Sequence, residues 1–265
     1  MDKYLEQNLA WWNEATPIHA RSEMYDVKSF EAGRNSLTSI EQEEVGSVAG
    51  KSLLHLQCHF GMDTLSWARL GAKVIGVDFS DKAIALARSL AARLNIKADF
   101  IQSNIYELPA CLNGRFDIVF TSQGVLCWLP DLPEWGRIIA RTLKKGGVFY
   151  IFEGHPFLNM FEYNKETRQQ EMMYSYFAGP ATQWPPGYDY ADVNAGMSVG
   201  TCEWTYSMSD IVNAIIGAGL RLEFLHEFPV LFFPANPLYS RDKDGMSRLP
   251  GDKLPLTFSI RAVKE

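Results

Sequence analysis

The sequence predicts an α/β protein, a largely parallel sheet with helices on both faces. Three observations lead there. Between residues 51 and 152 short apolar runs alternate with amphipathic ones, the rhythm of repeated strand–helix–strand units. Caps and stops stand at the junctions of those runs, Ser80 and Asp131 at helix starts and Gly71 and Gly219 at helix ends. The 265 residues, 47% of them hydrophobic, are enough for one large domain with a substantial core.

Taken in order, residues 52–56 read as the first strand and 63–70 as a helix that Gly71 can stop. A second strand at 73–77 ends at Asp78. Ser80 caps a helix at 81–94, whose Ile84, Leu86, Ala87, Leu90, Ala91 and Leu94 make a wide apolar stripe. The third and fourth strands are read at 99–102 and 116–121. Asp131 with Glu134 three residues on resembles a capping box, and Trp135, Ile138, Ile139 and Leu143 follow at helical spacing. Lys144 and Lys145 suit the negative end of that helix, after which Gly146 and Gly147 turn the chain into a fifth strand at 148–152.

Regularity stops past residue 154. Residues 154–203 are aromatic and turn-rich around Trp184-Pro185-Pro186-Gly187-Tyr188, with one helix expected near 165–176. A segment this long inside a compact domain reads as a lid or binding insertion. A helix at 207–218 and two strands at 221–227 and 256–263 close the chain, separated by a loop at 232–255. The first fifty residues read as helices packed beside the sheet. The expected organisation is therefore one domain over 1–265: a helical cap at 1–50, a core at 51–153, a lid at 154–205 and closing elements at 206–265.

Acidic residues outnumber basic ones by 31 to 25, for a net charge of −6. That balance argues against nucleic acid as a partner, since phosphate neutralisation needs clustered Lys and Arg, and Lys144-Lys145 is the one adjacent basic pair. Residues 1–17 carry four charges and no apolar core, so no secretory signal is read there. The charge-free stretch 172–188 holds Pro180, Pro185 and Pro186 and cannot span a membrane. Cys58, Cys111, Cys127 and Cys202 show no paired spacing and read as reduced thiols of a cytoplasmic protein, with no metal expected. His55 and His59 lie four apart, but on a strand running into a loop rather than on one helical face.

In such a sheet a ligand sits beyond the carboxyl ends of the strands, so the first two ends are the informative ones. They read Leu56-Gln57-Cys58-His59-Phe60-Gly61 and Val77-Asp78-Phe79-Ser80. One glycine, Gly61, stands where a dinucleotide fingerprint has three, which disfavours a nicotinamide dinucleotide. Asp78 follows at the distance at which a carboxylate accepts from ribose hydroxyls, which favours a nucleoside ligand.

With Asp78, Phe79, the stretch Ser103-Asn104-Ile105-Tyr106-Glu107-Leu108-Pro109, the run Phe116-Asp117-Ile118-Val119-Phe120-Thr121-Ser122-Gln123-Gly124 and the turn Leu143-Lys144-Lys145-Gly146-Gly147, residues 51–153 resemble the core of the class I S-adenosylmethionine-dependent methyltransferases. The first loop departs from that family, whose pattern holds an acidic residue and two or three glycines: Gln57-Cys58 stands where the first small residues would be and His59-Phe60 where glycine is commoner. The resemblance implies a Rossmann-like seven-stranded sheet with an antiparallel last strand, S-adenosyl-L-methionine as cofactor and a small organic methyl acceptor. It also implies cofactor-binding residues: Gln57, Cys58 and Gly61 in the first loop, Asp78 at the ribose and Phe79 beside the adenine. Asn104 and Ile105 fall at the adenine edge, and Ser122 and Gln123 along the methionine moiety. Trp12-Asn13-Glu14 with His19 resembles an N-terminal helix folded over the site, which implies that His19 contacts the methionine carboxylate. Glu153, His155 and the pair His226-Glu227 fall at strand ends where a base could reach the methyl, and no catalytic residue is assigned. Trp67 and Trp135 are expected in the core, and Trp128 at the core or the site. Phe157, Phe161, Tyr163, Tyr174, Tyr176, Phe177, Trp184, Tyr188 and Tyr190 make the insertion an aromatic wall for a metabolite-sized acceptor, the alternative being a satellite core or a homodimer interface. A catalytically silent nucleoside-binding sensor on the same fold is the alternative function.

Overall fold

The computed structural model describes residues 2–233, 235–243 and 245–265. Its centre is a seven-stranded sheet in the order β10-β13-β5-β4-β1-β2-β3, built from β1 (Ser52–Leu56), β2 (Lys73–Asp78), β3 (Asp99–Gln102), β4 (Phe116–Ser122), β5 (Leu143–Gly154), β10 (Leu220–Phe228) and β13 (Thr257–Lys264). Strands β1 to β5 pair in parallel, and β13 runs antiparallel between β5 and β10. The expected Rossmann-like sheet with its antiparallel last strand is what forms. The chain leaves β1 toward β2 and β3 and then returns to the other side of β1 as β4, so β1 and β4 flank the point where the order reverses.

Helices α1 (Lys3–His19), α2 (Val27–Glu31) and α3 (Ser39–Val45) fill the amino-terminal segment, and α4 (Met62–Arg69), α5 (Asp81–Arg93), α6 (Leu132–Thr142) and α7 (Met208–Gly217) cover the sheet. Ser80 and Asp131 cap α5 and α6 as expected, and Ser207 with Asp210 forms a reciprocal capping box on α7. Trp135 is fully buried with Ile138 and Ile139 on one face of the sheet, and Trp67 with Phe120 and Tyr150 on the other.

Two local expectations are corrected. Lys144 and Lys145 fall in the first residues of β5, not at the end of a helix, because α6 stops at Thr142. The Lys144 ammonium binds Asp117 at 2.7 Å and the Ser52 hydroxyl at 3.2 Å, fastening the starts of β4 and β1. In place of a helix at 165–176, the insertion folds as a hairpin of β6 (Phe161–Asn164) and β7 (Gln169–Met172). The Asn164 side chain accepts from the amides of Glu166 and Thr167 and Arg168 takes a left-handed φ of 56°, a turn that outcompetes helix. Short pairs β8 (Thr182–Gln183) with β9 (Cys202–Glu203) and β11 (Ser240–Arg241) with β12 (Ser247–Arg248) complete the chain.

The cap and the insertion are joined. Asn8 donates to the Cys202 carbonyl at 2.7 Å and accepts the Cys202 amide at 2.8 Å, both out of water. Glu14 accepts from the Ser198 amide and hydroxyl at 2.9 and 2.7 Å. Helix α1 also meets α5: Asn13 donates to Asp81 at 2.7 Å and accepts from the Ser80 hydroxyl at 2.6 Å.

Gly61 caps α4 with φ of 79°, and a Cβ there would stand 2.6 Å from the Phe100 ring and 3.1 Å from Ala87. Its side faces the core, so a substitution acts first on folding. We expect Gly61→Ala to cost about 1–2 kcal/mol for the left-handed backbone and about 1–3 kcal/mol for overpacking. A thermal melt checks this, with partial recovery in Gly61→Ala/Phe100→Leu; an unchanged melting temperature would contradict it.

Candidate active site at the carboxyl ends of the strands

The loop after β1 uses left-handed backbone at Gln57 (φ 56°), His59 (φ 50°) and Gly61, two of them side-chain-bearing residues in a conformation that glycine adopts more cheaply. Asp78 holds that loop. One carboxylate oxygen accepts the His59 amide at 2.8 Å and the other accepts the Ser80 amide at 2.9 Å. Burial pushes Asp78 up to about 6, against the pull of the amides of Ser80, His59 and Phe79. Each oxygen retains acceptor capacity for a further donor. Across the switch point Gln57 donates to the Val125 carbonyl at 3.1 Å, tying the ends of β1 and β4 together.

The other expected residues divide into those that present side chains here and those that do not. Phe79 and Asn104 are half-buried at the ends of β2 and β3, and Asn104 also caps a short turn by accepting the Tyr106 amide at 3.2 Å. Ser122 donates to Asp63 at 3.2 Å, and Gln123, itself left-handed at φ 40°, reaches Glu41 at 3.5 Å. The Cys58 side chain packs with Phe60 and Phe100, and Ile105 packs in the core beneath α6. Cys58, Ile105 and Gly61 therefore offer a ligand only backbone.

His19 is buried by the insertion: its Nε2 lies 2.9 Å from Asp189, and both side chains are 0% exposed. Its ring stacks on Tyr25 at 4.9 Å and meets His59 at 5.1 Å, Trp12 at 5.8 Å and Tyr190 at 4.7 Å. Trp128 joins Trp11 and Trp12 at 5.6 and 5.2 Å, and the Tyr25 and Tyr190 hydroxyls bond at 2.7 Å. The aromatic wall is only partly inward: Phe177 and Tyr188 are 71% and 74% exposed. Sequence reasoning missed Glu41, Asp63, Tyr25 and Asp189. Asp63, directly after Gly61-Met62 in the loop motif, was the one with a positional signal.

The strand-end bases are already engaged. Glu153 accepts the amides of Gly124, Val125 and Gly154 at 2.5 to 2.7 Å. His155 uses one nitrogen on Glu227 at 2.8 Å and the other on the Phe157 amide at 3.1 Å, and His226 is paired with Glu44.

Residues 54–151 match the family model of a methyltransferase domain. Curated relatives include a ubiquinone biosynthesis O-methyltransferase of Bordetella pertussis, 30% identical over 154 residues, 57% of this chain and 58% of the relative. The Escherichia coli protein of the same name is 33% identical over 109 residues, 41% of this chain and 45% of the relative. The chain thus spans about half the length of the curated relatives it matches. Over residues 54–151 the chain carries a methyltransferase domain, in agreement with the class I S-adenosylmethionine-dependent family that the sequence resembles. Its fold is that of a methyltransferase structure from Mesorhizobium loti, with a TM-score of 0.58 at 20% identity over 88% of this chain and 99% of the other. A glycopeptide N-methyltransferase complexed with S-adenosylmethionine superposes with a TM-score of 0.56 at 14% identity, covering 85% and 92%.

S-adenosylmethionine is the cofactor of this family, and buried polar atoms here fit it. Gln57 Oε1, His59 Nε2 and Glu41 Oε1 are buried without a protein partner, and all belong to the elements gathered at the strand ends. Unpaired buried polar groups are costly, and a polar ligand at the strand ends would give these atoms partners.

Glu41 accepts from the Thr38 amide and hydroxyl yet stays fully buried, and burial with nearby Asp63 raises it well above the usual carboxylate range. The unfolded chain ionises this group near its ordinary value while the folded chain resists, so stability is lost as pH rises above that value. Glu41→Gln should therefore raise the melting temperature at pH 8.5 more than at pH 5. A gain that is larger at pH 5 would contradict this.

Proposed function

We propose that this protein transfers a methyl group from S-adenosylmethionine to an oxygen of a small organic acceptor bound between the strand ends and the insertion. The observation that carries the reading is Asp78, a buried carboxylate at the end of β2 whose oxygens already fix the loop after β1 and keep capacity for two ribose hydroxyls. In this reading Phe79 and Asn104 flank the adenine, Gln57, Ser122 and Gln123 follow the methionine moiety, and the backbone of Cys58, Gly61 and Ile105 lines the path. The relatives named for O-methylation favour oxygen as the acceptor atom. When bound, the cofactor supplies a sulfonium methyl that is already activated. The protein's part is to align the acceptor with it and to exclude water. Four unpaired cysteines suit a reducing, cytoplasmic setting, and among the described residues no helix is long and apolar enough to cross a membrane.

Calorimetry with S-adenosylhomocysteine tests the cofactor and turnover in a metabolite extract tests the transfer. Asp78→Asn should weaken binding by about 1.5–3 kcal/mol, the scale of hydrogen bonds to a charged acceptor. In the unmutated protein, affinity should fall as pH drops through about 6, where Asp78 takes up a proton and loses acceptor strength. Unchanged affinity in a folded Asp78→Asn protein, or equally tight binding of NAD, would remove the assignment.

A further inference from the structure

We propose that His19 and Asp189 form a general-base dyad in which His19 takes the proton from an aromatic hydroxyl of the acceptor. The inference rests on the methyltransferase reading and adds to it the acceptor class and the group that activates it. A carboxylate only accepts, so the 2.9 Å contact makes His19 Nε2 the donor to Asp189 and leaves Nδ1 as an unprotonated lone pair in the neutral ring. That Nδ1 is buried and has no partner. Asp189 fixes the tautomer and stabilises the imidazolium once the proton arrives, as a carboxylate behind a catalytic imidazole does.

The place suits the task. The His19 ring contacts His59, whose amide is bound by the carboxylate assigned to the ribose, so it stands beside the cofactor path. The rings of Trp11, Trp12, Tyr25 and Tyr190 pack around it and make its surroundings aromatic. The remaining histidines are excluded on geometry. His155 and His226 are held by Glu227 and Glu44, and His55 bonds Thr64 and packs on Phe120. His59 has a free Nε2, but no carboxylate stands behind it. The groups facing His19 that also titrate are Tyr25, His59, Asp189 and Tyr190.

The chemistry selects the acceptor. A neutral amine attacks through its own lone pair without prior loss of a proton, whereas a hydroxyl gains much of its nucleophilicity from losing one. In the step assigned to the dyad the acceptor O–H bond breaks, its electron pair stays on oxygen, the proton moves to His19 Nδ1, and it later passes to water. Asp189 is a positioning residue.

The test uses 4-nitrocatechol, whose ionised form absorbs in the visible, bound to the protein with S-adenosylhomocysteine. The dyad should lower the probe's ionisation midpoint by about one pH unit or more relative to water, and His19→Gln and Asp189→Asn should return it toward the water value. Ser198→Ala, which cuts another link between cap and insertion, should leave the spectrum as it is, so that loosening the interface is told apart from losing the base. Four outcomes overturn the proposal: a bound probe with its water midpoint, a midpoint indifferent to His19→Gln, no probe binding where S-adenosylhomocysteine binds, or a His19→Gln protein whose S-adenosylhomocysteine affinity falls tenfold or more. The last would assign His19 to the cofactor carboxylate. Failure of the unmutated protein to bind S-adenosylhomocysteine would instead remove the methyltransferase reading, and the dyad with it.

Discussion

Asp78 takes the His59 amide on one oxygen and the Ser80 amide on the other, so a single buried carboxylate sets where the β1 loop ends and where α5 begins. The left-handed residues of that loop are held in place by this contact and by the Gln57 link to Val125. With the loop fixed, the His59 ring projects into the cap, where it meets Trp12, His19 and Tyr25. His19 in turn meets Asp189, and through it the insertion is anchored to α1. One chain of contacts thus leads from the sheet to the insertion.

This arrangement gives side chains to two left-handed positions, Gln57 and His59, that glycine would adopt more cheaply. Gln57 and His59 forgo the closest backbone approach to a ligand, and in exchange each brings a buried polar atom without a protein partner. The cap and insertion do the enclosing. Asn8 with Cys202, Glu14 with Ser198, His19 with Asp189 and Tyr25 with Tyr190 join segments far apart in sequence. Trp11 and Ala15 of α1 also bury Met197 of the insertion in a small apolar cluster.

The core was legible because its signals are local. Ser80, Asp131 and Gly219 mark helix ends in the sequence, and the apolar runs of β1 to β5 are periodic enough to place. The hairpin at 161–172 was not, since it hangs on the Asn164 side chain bonding amides two and three residues on, a choice that hydrophobic periodicity does not register. In the site, Asp78 was readable from its position at a strand end. Asp189 was not, because its role depends on a partner 170 residues away. Gly61 was read for the ligand and turns out to face Phe100, a distinction that only the packing of α5 and β3 reveals.

The central claim is that the cap and the insertion close over the strand ends as one unit. Hydrogen–deuterium exchange with and without S-adenosylhomocysteine tests it most directly. Ligand should slow exchange in residues 11–19 and in residues 184–203 together, to a similar extent, while β5 and β13 stay unchanged. Protection of the cap with the insertion left as it was, or of neither, would contradict the account.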